Sequence, residues 1–265
     1  VASLGDGILQ DLVAALVTFL LGVSAGAIAR ALLSRRASNL LLALPPGPVH
    51  VVLGSPFHMK PGGTRAVTAT VPVAAAGTVL GYGRIADLVR RQRPDVPVSV
   101  FFSASFPADL LADNLVLLGF PKTNEVTRDV VRHLDLPVDI QDHRWTERAT
   151  GRVFEATLAG DYIVEDHGSV IRAPNPYNEN SVVHVFAGTQ TYGLKAAIEF
   201  LRSENLGLIL KATPSPPSRP WSPLRLADLL VDANGAFYQL VLATRVRDHY
   251  TSPATVVARH TLSSS

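Results

Sequence analysis

The chain has 265 residues, with 24 Lys and Arg against 22 Asp and Glu and a formal net charge of +2. Acids spread among the bases exclude a basic nucleic-acid stripe, so no nucleic-acid partner is expected. The absence of cysteine excludes disulfides, thiolate metal sites and cysteine nucleophiles, while 47% hydrophobic residues suffice for one large domain or two small ones.

Leu12–Ala29 (LVAALVTFLLGVSAGAIA) is uncharged and, at about 18 residues, near the lower limit for a membrane-spanning helix. Asp11 precedes it and Arg30, Arg35 and Arg36 follow, so residues 1–36 read as a single-pass membrane anchor with the globular part cytoplasmic. Gly22 and Gly26 form a GxxxG through which two copies could pair as a homo-oligomer. Residues 37–48, with Pro45, Pro46 and Pro48, form a linker.

Four later segments share one design, a β-rich apolar run ending in small polar residues or glycine. They are His50–Ser55, Val98–Ser105, Asn114–Gly119 and Val182–Thr189. Such runs match parallel strands buried on both faces, whose carboxyl ends are where open α/β sheets bind ligands. Between the first two runs, 56–72 reads as a long loop with a short strand at Ala66–Val71, and Gly77–Arg93 has helical spacing before Pro94. A second helix is expected near Thr123–Leu134 and a third over Tyr192–Arg202. Segment 152–171 alternates, with glycines at its turns, and predicts a small antiparallel β insertion beside the parallel sheet. Leu206–Lys211 is a further short strand, 213–223 with five prolines a stiff arm, and 224–265 an extension ending in a β-hairpin. The expected fold class is therefore α/β: a Rossmann-like three-layer domain over 49–212 with a mostly parallel sheet, preceded by a transmembrane helix.

The strand ends supply the candidate ligand contacts Ser55, Ser103, Asn124, Gly188, Thr189, Thr191 and Gly193. Gly188–Gly193 joins a buried strand to a helix, and N–H groups at a helix start favour an anion; an N-cap by Thr189 or Thr191 explains the same letters. Asn124 can bind a ligand or cap a helix. Gly81–Ala86 (GYGRIA) matches a dinucleotide-fingerprint variant but lacks a convincing strand before it and an acid about 20 residues on, so a plain amphipathic helix accounts for it as well. No GxxxxGK[ST], HExxH or GxSxG occurs, the eight histidines are scattered, and no metal site is expected. Either Glu125 or Glu179 is the weak catalytic candidate for the carboxylate of N-glycosidase chemistry, with His58 as acid/base. No cofactor can be named.

The pairing of LLGFPKTNEVT with IRAPNPYNENSVVHVFAGTQTYGLKAAIEFL resembles uncharacterised prokaryotic Rossmann-like proteins that read Gly-Gly-Pro-x-x-Asn and Ala-Gly-x-x-Thr-x-Gly at these points. The resemblance covers residues 114–202. Asn124, Gly188, Thr191 and Gly193 match, and Phe120 replaces the second glycine of the first motif. It implies a Rossmann-like cleft with a nucleotide-type ligand and adds no catalytic residue. The leading expectation is a membrane-anchored cytoplasmic binding or sensor module for a nucleotide-like or phosphorylated small molecule. The alternatives are a nucleotide-hydrolysing or N-glycosidase-type enzyme, or a structural protein assembling through its N-terminal helix and Pro-rich arm.

Overall fold

The computed structural model describes residues 42, 44–54, 76–141, 143–201 and 237–262. Ser55, His58, Gly22, Gly26, the apolar run Leu12–Ala29, the strands expected at Ala66–Val71 and Leu206–Lys211, and the Pro-rich arm lie outside them.

The four apolar runs become β1 (Val49–Leu53), β2 (Val98–Phe102), β3 (Asn114–Leu118) and β9 (Asn178–Gly188). They are neighbours in the order β2-β1-β3-β9 and mutually parallel, with Leu53 level with Phe102 and Leu118, and Leu118 level with Phe186. β1 and β3 are buried along their whole length, as continuous apolar runs require.

The rest of the sheet departs from the expected fold. β8 (Tyr162–Asn175) has 14 residues and pairs antiparallel with β9 on one side and with β10 (Phe237–Arg247) on the other. β12 (Thr255–Leu262) and the short β11 (Tyr250–Thr251) pair with β10, and β7 (Thr157–Ala159) pairs with the start of β8. The result is a mixed nine-stranded sheet in a molecule with 44% strand and 26% helix among the described residues. A mostly parallel Rossmann-like sheet with a small antiparallel insertion is thus overturned. The alternating segments carry enough apolar residues on both faces to enter the middle of the sheet rather than its margin.

Three α-helices are described: α1 (Ala76–Gln92), α2 (Glu125–His133) and α3 (Thr191–Glu199). α1 and α3 cover one face, burying Ile85, Val89, Leu194 and Ile198 against Val51, Val116, Phe186 and Leu240. On the other face Val126, Val130 and Val131 of α2 pack on Val52, Leu115 and Leu117. That face also carries a small sheet of β4 (Val138–Asp139), β5 (Trp145–Glu147) and β6 (Val153–Phe154), with Trp145 and Phe154 fully buried. Gly81–Ala86 lies inside α1, so those residues form helix rather than a phosphate-binding turn. A Cβ at Gly81 would overlap the end of the Ile198 side chain, so the glycine lets α1 approach α3.

Among the described residues no helix is long and apolar enough to cross a membrane. The longest, α1, has 17 residues and carries Arg84, Asp87, Arg90 and Arg91, the pattern of a surface helix. The single-pass membrane anchor expected at residues 1–36, with the domain cytoplasmic, thus finds no support among the described residues.

Side chains tie the elements together at the amino ends of the parallel strands. Asn114 Nδ2 donates to the carbonyls of Pro45, Pro46 and Pro48, holding the linker, while its Oδ1 accepts from Val182 N at 3.1 Å. In the NPYNEN stretch, Asn175 Nδ2 donates to Leu111 O and Asp113 O, both at 2.7 Å, and Asn178 Nδ2 to Ala112 O. That motif is spent on docking the β8–β9 hairpin against the loop before β3.

Candidate functional site at the carboxyl rim of the parallel strands

The four parallel strands end level with one another, and the ladder runs one residue further, with Gly54 N donating to Leu118 O at 3.0 Å and Gly119 N to Phe186 O at 2.9 Å. The described helix after β1, α1, packs on one face of the sheet; the helix after β3, α2, packs on the other. Adjacent strands whose following helices diverge leave a crevice at their carboxyl ends. Gly54 and Gly119 stand at its base. Gly119 has φ +115°, which favours glycine, and a Cβ on Gly54 would stand 3.0 Å from Thr123 O, a tight contact.

Asn124 is fully buried at the start of α2. Its Oδ1 accepts from Thr127 N at 3.0 Å, closing the first turn, and its Nδ2 donates to Val52 O at 3.1 Å and Leu118 O at 3.2 Å. One side chain thus caps the helix and latches it to the ends of β1 and β3. Ser103 is buried in a short 3-10 turn that ends β2, and its carbonyl accepts from Phe106 N.

The Gly188–Gly193 corner already holds an anion, and it belongs to the chain. Asp166 of β8 is fully buried with its carboxylate at the start of α3. Oδ1 accepts from Thr189 Oγ1 at 2.5 Å, His167 N at 2.8 Å and Gln190 N at 3.1 Å; Oδ2 accepts from Gly193 N at 2.6 Å. The N-cap residue Gln190 supplies no side-chain cap of its own, so Asp166 does so from another strand. A Cβ at Gly193 would overlap the His167 carbonyl, and one at Gly188 would overlap Leu194 N. Both glycines therefore serve the close approach of α3 to β8 and β9. Thr191, on the first turn of α3, is exposed. Spacing in the sequence does not point to Asp166, because only the pairing of β8 with β9 brings it to this corner.

On the α2 side of the crevice stands a group that the sequence reading passed over. His143 Nδ1 lies 2.8 Å from Thr189 O. A carbonyl only accepts, so Nδ1 carries the proton and, in the neutral ring, Nε2 carries the lone pair. Lys122 Nζ is 3.5 Å from Nε2, and the Phe120 ring packs 4.7 Å from the imidazole. Lys122 is exposed and His143 half-buried.

The expected catalytic candidates are not brought together. Glu125 is exposed beside this rim, at the start of α2. Glu179 is exposed near the β8–β9 turn, seven residues before Phe186, the partner of Leu118. At the rise of a β-strand that separation is roughly 23 Å, which puts Glu179 at the opposite end of the sheet. Among the described residues no group of three His, Cys, Asp or Glu could hold a metal ion.

Away from the rim, His184 of β9 is fully buried beside Arg172 of β8, its register partner, and neither ring nitrogen has a hydrogen-bond partner. Burial first, and the neighbouring guanidinium second, hold its pKa well below the usual histidine range. Tyr238, the other register partner of Arg172, is pushed up to about 12 by burial, an effect that the Arg172 charge partly offsets. Compared with protein-family models, curated proteins and solved structures, the chain matches none.

Proposed function

We propose that the chain is a binding module for a small phosphorylated, nucleotide-like molecule held at the carboxyl rim of β1 and β3. One observation carries the reading: α1 and α2 diverge to opposite faces after adjacent parallel strands that exit through Gly54 and Gly119. Ligands of open α/β sheets bind in such crevices. The exposed ammonium of Lys122 in the turn between Gly119 and Asn124 favours an anionic group. The Gly188–Gly193 corner is not part of this reading, because Asp166 fills it. Glu179 stands at the opposite end of the sheet, which takes one of the two alternative carboxylates away from the rim, so binding is the reading the rim supports best.

Thermal-shift and calorimetric titration of the full chain against nucleoside mono-, di- and triphosphates, dinucleotides and sugar phosphates test it. A saturable rise in Tm with at least one of them is expected. A cooperatively folded protein that no compound stabilises at millimolar concentration would remove the proposal.

A further inference from the structure

We infer that Asp113, His50 and Ser99 form a serine acyl-transfer site at the amino end of the parallel strands, one that hydrolyses small apolar carboxylic esters. The inference does not depend on binding at the carboxyl rim. Its basis is an array across three neighbouring strands. His50 is the second residue of β1, Asp113 immediately precedes β3, and Ser99 of β2 is level with His50. His50 Nε2 lies 2.9 Å from Asp113 Oδ2. An ionised carboxylate only accepts, so Nε2 carries the proton and, in the neutral ring, Nδ1 carries the lone pair. Nδ1 is buried and has no hydrogen-bond partner. The two nitrogens lie on opposite sides of the ring axis, so an Nε2 turned towards β3 turns Nδ1 towards β2. There Ser99 projects on the same face of the sheet, its Cβ about 5 Å from that of His50 at the spacing of neighbouring strands. Rotation about χ1 brings its hydroxyl within reach of Nδ1. Such arrays are recognised by geometry and role rather than by sequence order, and their hydrogen bonds tighten when substrate binds.

Ser99 is half-buried, and no described residue hydrogen-bonds its side chain. β2 is the last strand on its side of the sheet, so the hydroxyl is approached from the margin. Outward N–H groups of that margin have no partner strand among the described residues and supply donors for an oxyanion. Phe101 and Phe106, both half-buried, stand edge-on to the imidazole at 5.7 and 6.2 Å and to each other at 5.3 Å. These rings shield the imidazole and set the substrate class, an ester with an apolar acyl group. In the reaction the Ser99 oxygen attacks the ester carbonyl as its proton passes to His50 Nδ1. The carbon–oxygen bond to the alcohol then breaks, and the alcohol leaves with that proton. Water attacks the acyl-serine and gives a proton to Nδ1, and Ser99 recovers it as the carboxylic acid leaves. Asp113 is a positioning residue that keeps the other proton on Nε2.

A fluorophosphonate probe and p-nitrophenyl butyrate, applied to the full chain, test this, with Tm measured on each variant to confirm folding. Peptide mass spectrometry should place the probe on Ser99, and the ester should turn over with saturation. Ser99→Ala, a small change on a half-buried strand, should abolish labelling and lower kcat at least a hundredfold. His50→Gln should do the same. Asp113→Asn should lower kcat at least tenfold while KM and Tm hold, a split that a merely structural carboxylate would not give. A probe carried on another residue, turnover that survives Ser99→Ala, or an unchanged kcat in Asp113→Asn overturns the inference. So does folded wild type that neither takes the probe nor turns over the ester, and all of these outcomes leave the binding reading of the carboxyl rim intact.

Discussion

Asp166 shows what a single buried side chain does at the end of a helix. Four donors converge on it, and removing the carboxylate strands the Gly193 and Gln190 N–H groups and the Thr189 hydroxyl. Each unsatisfied buried donor costs about 1–3 kcal/mol, so Asp166→Ala should lower the unfolding free energy in urea by at least about 3 kcal/mol. Asp166→Asn, which keeps one acceptor oxygen, should cost roughly half as much, and equal losses would show that packing rather than hydrogen bonding matters there. His184 acts in the opposite sense. Its folded pKa is depressed, so below the unfolded value of about 6.5 the unfolded chain binds the proton and the folded chain does not. Stability should therefore fall as pH drops below about 6.5, by up to about 1.4 kcal/mol per pH unit from this group. His184→Leu should remove that component of the slope, which denaturation midpoints measured from pH 7.5 to 5 would reveal as a flatter profile. Part of the rim was legible in the sequence, since Asn124, Gly188, Thr189 and Gly193 all stand at strand-to-helix corners. Their present partners were not legible. Caps, close-packing glycines and ligand contacts draw on the same residue types, and Asp166 and His143 reach the rim through tertiary pairings that spacing does not encode.

The small sheet β4-β5-β6 depends on one residue of the large one. Gln239 of β10, fully buried, accepts from Val138 N at 2.9 Å and donates to Val138 O at 2.8 Å, so its amide stands in for a neighbouring strand's peptide group. Beside it, His260 Nε2 of β12 lies 2.9 Å from Glu147 Oε1 of β5. Gln239→Leu keeps the bulk and removes both hydrogen bonds, leaving a backbone N–H and C=O buried and unmatched at about 1–3 kcal/mol each. The expected outcome is a loss of about 2–6 kcal/mol. Amide exchange should quicken most at 138–147 and 153–154 while β3 and β9 stay protected; uniform acceleration throughout would mean that the clasp belongs to the global fold rather than to this layer. β8 explains why this element was misread. Asp166-His167-Gly168-Ser169 interrupts its apolar pattern and suggests turns, yet Asp166 is satisfied by α3, and Gly168 lets the Gly193 carbonyl and Ala197 approach the strand. Each interruption has its compensation in another element, which a window of sequence cannot show.

At the scale of the molecule, the parallel half was readable because strands buried on both faces announce themselves as apolar runs, and the antiparallel half was not, because alternation looks the same at an edge and at the centre. β9 joins the two halves, parallel to β3 on one side and antiparallel to β8 on the other. The consequence concerns the last described segment. A hairpin that merely extends a finished domain can be removed. Here β10 lies inside the sheet, between β8 and β12, with Leu240, Val241 and Leu242 fully buried. Leu240 and Leu242 enter the core under α1 and α3, and Val241 the core under α2 and the small sheet. At about 1.5–3 kcal/mol for each such side chain, these three and Tyr238 together contribute roughly 6–12 kcal/mol, as much as the whole stability of an ordinary domain. Deleting 237–265 would also expose the backbone edge of β8 across eight residue pairs, an invitation to aggregate. The truncated chain should show no cooperative thermal transition by circular dichroism and should elute from a sizing column as aggregate. A truncated chain that stays monomeric and melts cooperatively within about 5 °C of the full chain, a shift that corresponds to about 2 kcal/mol, would show that the parallel half folds alone.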